Sequence, residues 1–405
     1  MPTNTVHFEN ARGQSLAAQL DMPADGRPLA YALFAHCFTC SKNLKAVGHL
    51  TRAITRAGYA VLRFDFTGLG QSEGDFSETD FSSNIADLEA AAAWLEMHHE
   101  APQLLVGHSL GGAAVVHAAL RLPSVRAVAT IGAPFDPAHV RNLFQDAEED
   151  IRETGYARVS IGGRPFTIRK EFLEDLEATD PGTVMDSLDR ALLVMHSPVD
   201  KIVGIDNAAD MYTAAKHPKS FVSLDSADHL LSDEADAMYA GDVLSAWSRR
   251  YVDHSARPES THDSREVTVS LDRSHYRTEV VANGHVIVVD EPESMGGTNE
   301  GPSPYDLVVA GLGACTAITL RMYADRKEWP LESITVELRH EKMHARDCKC
   351  GADESMGRID VMERIIHVTG NLDDEQRGRL LEIANRCPVH RSLHEGKVVV
   401  TSRLA

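Results

Sequence analysis

The chain has 405 residues, more than one ordinary hydrophobic core accommodates, so two or more domains are expected. A hydrophobic content of 43% and a charged content of 25% are those of a globular protein. The formal net charge of −20 argues against nucleic acid and anionic membrane surfaces as main partners, because both need clustered Lys and Arg. The first eight residues lack a basic segment followed by an apolar core, and no apolar run is expected to span a membrane, so the expected compartment is the cytoplasm. The six cysteines (Cys37, Cys40, Cys315, Cys348, Cys350 and Cys387) are then expected as thiols.

Residues 6–21 read as a strand pair turning at Asn10-Ala11-Arg12-Gly13-Gln14. A buried strand over 29–35 runs into His36-Cys37-Phe38-Thr39-Cys40-Ser41-Lys42. A helix over 45–57 stops at Gly58 and is followed by a strand over 59–64, a Gly-rich loop over 65–74 and an Ala-rich helix over 80–98. Strands are expected at 104–108, 125–132, 192–196 and 221–224, and a helix at 234–251. Strands alternating with helices predict a mostly parallel sheet covered on both faces. The alternation breaks at 135–188, where a charged helix (137–153) and a hairpin around Gly162-Gly163 form a candidate lid.

The apolar run Leu104-Leu105-Val106 leads into Gly107-His108-Ser109-Leu110-Gly111-Gly112 and then into Ala-rich helix composition. Gly-x-Ser-x-Gly between a strand and a helix is the pattern of a nucleophile elbow, in which a tight turn lifts the serine oxygen above the sheet edge. Such a hydroxyl needs a base, and the base needs a carboxylate to orient it. Asp200 follows the expected strand 192–196 and His229 follows 221–224, in the chain order nucleophile, acid, histidine. Asp225 and Asp228 are rival acids; His36, His108 and His196 are rival bases. Leu110 N–H, at the first turn of the elbow helix, and Phe38 N–H are the expected oxyanion donors. Cys37 and Cys40 flank Phe38; two free thiols are the expectation and a redox pair the alternative.

These motifs, with Asp65-Phe66-Thr67-Gly68-Leu69-Gly70-Gln71-Ser72, resemble the α/β-hydrolase family from residue 1 to about 251. The short hairpin lid and the His-x-Phe-Thr loop are similar to bacterial esterases, including feruloyl-type ones. The resemblance implies a carboxylic-ester hydrolase working through an acyl-serine, with Ser109, Asp200 and His229 as its catalytic residues and a small-molecule ester as substrate.

Residues 255–264 are polar and aperiodic and read as a linker between a first domain, 1–254, and a second, 265–405. In the second, strands are grouped: 267–271, 277–282, 286–289, 334–340, 359–369 and 397–403, with helices at 304–327 and 373–386. That is α+β texture. The helix from Pro304 is almost wholly apolar and therefore expected to be buried. Cys315 lies on it beside Leu307, Val308, Gly311, Ile318 and Met322. Cys387 sits at a helix end, where Arg386, His390 and Arg391 would favour a thiolate. Gly301-Pro302-Ser303-Pro304-Tyr305-Asp306-Leu307, Gly313-Ala314-Cys315 and Cys387-Pro388-Val389 resemble the OsmC/Ohr family of thiol-dependent hydroperoxide reductases. The resemblance implies Cys315 as peroxidatic and Cys387 as resolving cysteine, an organic hydroperoxide and a dithiol reductant as partners, and a homodimer interlocked around the site. Tyr305 stands where that family has a Glu that orients an arginine, and Arg277 is a candidate for the arginine. The competing expectation is a dimerisation and gating scaffold without peroxidase activity. His340, His344, Cys348 and Cys350 do not have a standard zinc spacing. No motif calls for a cofactor or a metal.

Overall fold

The computed structural model describes residues 3–253, 267–271, 275–347, 357–396 and 398–402. The expected linker, 255–264, lies outside them, as do Cys348 and Cys350. The chain divides into two compact units, Met1–Asp272 with Glu279–Val286, and Arg273–Thr278 with Ile287–Ala405.

The first unit is built on eight strands. β1 (Thr3–Glu9), β2 (Ser15–Asp21), β3 (Ala30–Ala35), β4 (Tyr59–Phe64), β5 (Leu104–His108), β6 (Ala127–Ile131), β9 (Ala191–His196) and β10 (Lys219–Ser223) lie in the order β1-β2-β4-β3-β5-β6-β9-β10. β1–β2 and β2–β4 are antiparallel; every later pair is parallel. Every residue of β3, β5, β6 and β9 is buried, because helices cover both faces of a parallel sheet. Alternate side chains feed two cores. Leu33, Leu62, Leu105, Val128 and Leu192 pack with α2 (Phe81–His98) and α3 (Leu110–Ala119). Phe34, Val61, Val106, Ala129 and Leu193 pack with α1 (Lys45–Arg56) and α8 (Glu234–Ser248).

The segment between β6 and β9 holds α4 (Glu148–Thr154), the hairpin β7 (Tyr156–Ile161) and β8 (Arg164–Arg169), α5 (Lys170–Glu177) and α6 (Pro181–Ser187). Gly162 and Gly163 both have positive φ, +58° and +75°, as the two central residues of a type I′ hairpin turn require. The single charged helix expected over 137–153 is instead two 3-10 turns, Pro137–Leu143 and Gln145–Ala147, leading into α4. Phe144 causes the break: its ring is buried and its backbone, at φ −146°, is not helical. Helix α7 (Asp206–Ala214) links β9 to β10.

Further along, β11 (Val267–Leu271), β12 (Thr278–Ala282) and β13 (His285–Val289) form a three-stranded sheet. In the second unit α9 (Pro304–Arg326) packs on the long antiparallel pair β14 (Leu331–His344) and β15 (Arg358–Gly370), and on α10 (Asp374–Ala384) and α11 (Pro388–His394). Its start is fixed by a capping box between Ser303 and Asp306, with Pro304 in the first turn. Three expectations fail here. Helix α9 is not buried all round: Leu312, Gly313, Thr316, Leu320 and Ala324 are buried, but Val308, Ile318 and Met322 are exposed, because among the described residues nothing covers that side. At 23 residues it also reaches the length of a membrane span, which the sequence reading denied; a capping box starts it and one side of it packs on β14. The strand expected over 397–403 is likewise not seen in its described part: residues 398–402 have no regular structure, and Val399 is 89% exposed.

Candidate active site

Strand β5 ends at His108 and α3 begins at Leu110, leaving Ser109 alone in the bend. Its φ is +56°, a region costly for a residue with a Cβ, at about 1–3 kcal/mol. The bend is held by Ser109 N–H donating to Ile131 O (2.9 Å) and Gly112 N–H donating to Ser109 O (2.8 Å). It demands glycine on either side. A Cβ on Gly107 would lie 2.3 Å from Gly111 O, and one on Gly111 would lie 2.4 Å from His36 O. The same closeness brings the backbone after β3 against the start of α3.

Ser109 Oγ is 3.0 Å from His229 Nε2, and His229 Nδ1 donates to Asp200 Oδ2 at 2.7 Å. Asp200 Oδ1 accepts from Ile202 N–H (2.8 Å) and Val203 N–H (3.0 Å), so the carboxylate is fixed by its own loop. Burial alone would raise the Asp200 pKa, but the hydrogen bonds from His229, Val203 and Ile202 outweigh it and hold the carboxyl below its usual range. Ser109, Asp200 and His229, expected together from sequence, meet at the C-terminal edge of the sheet.

The rival residues are engaged elsewhere. Asp225 and Asp228 are exposed, and Asp228 Oδ1 accepts from Ser232 N–H. His108 donates from Nε2 to His229 O at 2.6 Å. Burial first, then the neighbouring His229 ring, lower its pKa to about 4, so it is a neutral strut under the loop that carries His229. His196 donates to Val203 O, and His36 from Nδ1 to Cys37 O. Burial lowers the pKa of both.

Leu110 is the first residue of α3, where the helix ladder leaves N–H groups free for other acceptors. Phe38 lies in the turn Cys37-Phe38-Thr39-Cys40, closed by Cys40 N–H to Cys37 O at 3.1 Å. Phe38 and Leu110 line one small cavity together. Cys37 and Cys40 are not thiols, as expected, but a disulfide. The turn explains the pairing, since it brings their Cα atoms to 5.3 Å, within disulfide reach. The Phe38 ring stacks on Phe172 (5.5 Å) and meets Phe76 (5.4 Å), which in turn meets Phe166 of β8 (4.9 Å). The hairpin segment thus contributes an aromatic wall beside the elbow.

Sequence reasoning missed the anchor of this loop. Lys42 Nζ donates to Asp65 Oδ2 (2.5 Å) and Gln71 Oε1 (3.0 Å), and Lys42 N–H to Asp65 Oδ1 (2.7 Å). Both charged side chains are almost wholly buried. No local pattern marks a lysine in a polar loop as buried; the pair exists only once β3 and β4 lie side by side.

In the second unit Cys315 and Cys387 are free thiols, Cys315 half-buried and Cys387 fully buried. Cys387 caps α11, its Sγ accepting from His390 N–H (3.3 Å), and lies 3.8 Å from Thr316 Oγ1. The guanidinium beside it is that of Arg364, bound to Thr316 Oγ1, Ala384 O and Asn385 Oδ1, while Arg391 pairs with Glu395. Arg277 pairs with Glu300 at 2.6 Å. The carboxylate facing the candidate arginine is therefore not at position 305 but just before Gly301, a signal adjoining the motif that was read. His340 bonds Asp360 and stacks on Tyr305.

Residues 297–403 match the family model described as OsmC-like protein, and residues 40–161 that of serine aminopeptidase S33. A crystal structure of the esterase domain from a Rhodothermus marinus protein is 55% identical, with a TM-score of 0.53, and covers 62% of this chain and 100% of its own. The rat mitochondrial palmitoyl-protein thioesterase ABHD10 is 39% identical over 75 residues, 18% of this chain and 24% of that protein. Protein RP471 of Rickettsia prowazekii is 26% identical over 137 residues, 33% of this chain. The chain spans 57% of the length of the Rickettsia protein and 24% of the thioesterase. The chain belongs to the α/β-hydrolases and carries an OsmC-like domain after its hydrolase domain.

Proposed function

We propose that the hydrolase domain is a serine carboxylic-ester hydrolase. The observation that carries the reading is the unbroken chain Ser109 Oγ–His229 Nε2, His229 Nδ1–Asp200 Oδ2, at 3.0 and 2.7 Å. Ser109 Oγ attacks the ester carbonyl as His229 Nε2 takes its proton. Asp200 holds the imidazole in the tautomer with Nε2 free to accept and stabilises the imidazolium that forms. The N–H groups of Leu110 and Phe38 receive the developing oxyanion. His229 then protonates the leaving alcohol, and a water activated by the same ring releases the acid from Ser109. The aromatic wall of Phe38, Phe76, Phe166 and Phe172 supports a flat or apolar acyl group, as in a hydroxycinnamoyl ester. Likeness to a palmitoyl-protein thioesterase adds acyl thioesters to the substrates to be tried. Ser109→Ala, assayed with p-nitrophenyl and feruloyl esters, tests the reading; turnover retained by that variant would overturn it.

For the OsmC-like domain we propose reduction of organic hydroperoxides. The Cys315 thiolate takes the distal oxygen, releasing the alcohol; Cys387 condenses with the sulfenic acid, releasing water; a dithiol reduces the resulting disulfide. The Arg277–Glu300 pair and the two free thiols favour this reading. The open apolar side of α9 and the exposed run Val398-Val399-Val400 favour a homodimer, and with it the alternative of a dimerising scaffold without peroxidase activity. Cys315→Ser, assayed with an alkyl hydroperoxide and a dithiol, separates them: the scaffold reading stands if wild type consumes no hydroperoxide.

A further inference from the structure

We propose that the Cys37–Cys40 disulfide is a thiol–disulfide exchange site for a dithiol, and that its oxidised state holds the Phe38 N–H in place as an oxyanion donor. This rests on the ester-hydrolase reading above and adds a control on the same site.

The four-residue turn carries its own strain. Thr39, at the third position, has φ +63°, where a turn closed by a first-to-fourth hydrogen bond favours glycine and a β-branched residue fits badly. Such a conformation persists only where the surroundings over-determine it. Here the disulfide closes the ring across the turn, joining the residues on either side of Phe38 and Thr39.

Both ends of the loop are fixed independently of the disulfide. His36 O lies against Gly111 so closely that a Cβ there would sit at 2.4 Å. Lys42 is locked by Asp65 through its backbone N–H and its ammonium, and its carbonyl accepts from Arg63 Nη1 at 2.5 Å. Cutting the disulfide therefore loosens the backbone of the turn between those ends, while the Phe38 ring keeps its contacts with Phe76 and Phe172 and Cys37 O its hydrogen bond from His36 Nδ1. With the ends held, relaxation of Thr39 must be compensated by rotations on both sides of Phe38, which re-aim its N–H. The Ser109–His229–Asp200 chain lies on other loops and keeps its geometry.

The exchange is balanced. An incoming thiolate attacks Cys40 Sγ, the more exposed of the two residues. The S–S bond breaks, and Cys37 leaves as a thiolate and takes up a proton. The second thiol of the reductant displaces Cys40 and closes as its own disulfide. An oxidised dithiol reverses every step.

The test uses the full chain, oxidised, reduced with dithiothreitol and re-oxidised with its cyclic disulfide. Thiols are counted under native conditions as the difference from a Cys37→Ser, Cys40→Ser variant treated alike, so that the other cysteines cancel, and p-nitrophenyl acetate turnover is resolved into kcat and KM. Loss of one oxyanion donor costs roughly 10²–10³ in kcat. We expect a fall of about tenfold to several hundredfold on reduction, reflecting partial misplacement, with KM changed less than about threefold and activity recovered on re-oxidation. Cys37→Ser with Cys40→Ser should show the low kcat of the reduced form and no response to the dithiol. A pair that resists the dithiol in the native protein, or a reduced form as active as the oxidised one, overturns the proposal. An oxidised protein that hydrolyses no ester overturns the hydrolase reading instead, while the thiol count still decides the exchange.

Discussion

His108 makes the stability of the hydrolase unit depend on pH in a calculable way. The residue is 3% exposed, and its pKa is about 4 in the folded chain against an ordinary 6.5. Between those values the unfolded chain binds a proton that the folded chain refuses. The stabilisation is complete above about pH 6.5, falls as the pH drops below it, and is fully lost below about pH 4. From about pH 7.5 to pH 5, the two binding curves differ by about 2 kcal/mol. The perturbation is His108→Asn, which keeps a donor for His229 O and removes the titrating group. Its fixed cost cancels when the same variant is compared at two pH values, as do the contributions of His36 and His196. The assay is hydrogen exchange resolved on the amides of β5 and α3, which needs no assumption that both domains unfold together. Wild type should lose about 2 kcal/mol more than the variant over that interval. Equal losses would mean that His108 titrates normally, and the neutral strut would have to be abandoned.

Asp200→Asn should leave the fold intact and lower kcat for esters by on the order of 10⁴, because an amide no longer enforces the His229 tautomer; steady-state kinetics with the purified variant read this directly. Lys42→Met leaves the Asp65 carboxylate buried beside an apolar chain and should cost about 3–5 kcal/mol, of which Asp65→Leu in the same chain recovers a part. Urea midpoints for the single and double variants check it, and a double variant no better than the single would refute it. Gly111→Ala forces a methyl to 2.4 Å from His36 O, and since both sides are backbone the elbow or the Phe38 loop must move. A misplacement of about 1 Å is worth roughly 10² in kcat, visible as loss of ester turnover with retained secondary structure.

The hydrolase half was legible because its signals are local and redundant. Gly107 and Gly111 flank Ser109 where the bend leaves no room for a Cβ, and the runs on either side have one reading each, as strand and as helix. Asp200 and His229 could be placed because parallel strands all deliver their following loops to one edge. What escaped were contacts between segments that no pattern announces. Lys42 and Asp65 sit 23 positions apart in polar loops, and each looks like an ordinary surface charge. Cys37 and Cys40 were read through the expected compartment, which argues for thiols, whereas the turn that joins them depends on Thr39 taking a backbone conformation its side chain disfavours.

The second half was less legible for a different reason. A hydrophobic stripe reports that a side chain leaves water, not which molecule covers it. Helix α9 reads as buried all round, yet within one chain its covered side is set by Leu312, Thr316, Leu320 and Ala324, and Val308, Ile318 and Met322 face outward. The run Val398-Val399-Val400 has strand composition, yet it has no regular structure and all three residues are exposed. Both mismatches have the same sign: more apolar surface than one copy buries. If a second copy covers them, the apparent errors of the sequence reading are correct statements about the dimer. Replacing Ile318 and Met322 by Glu should then yield a monomer by light scattering, whereas an unchanged assembly would show that this face of α9 is not where two chains meet.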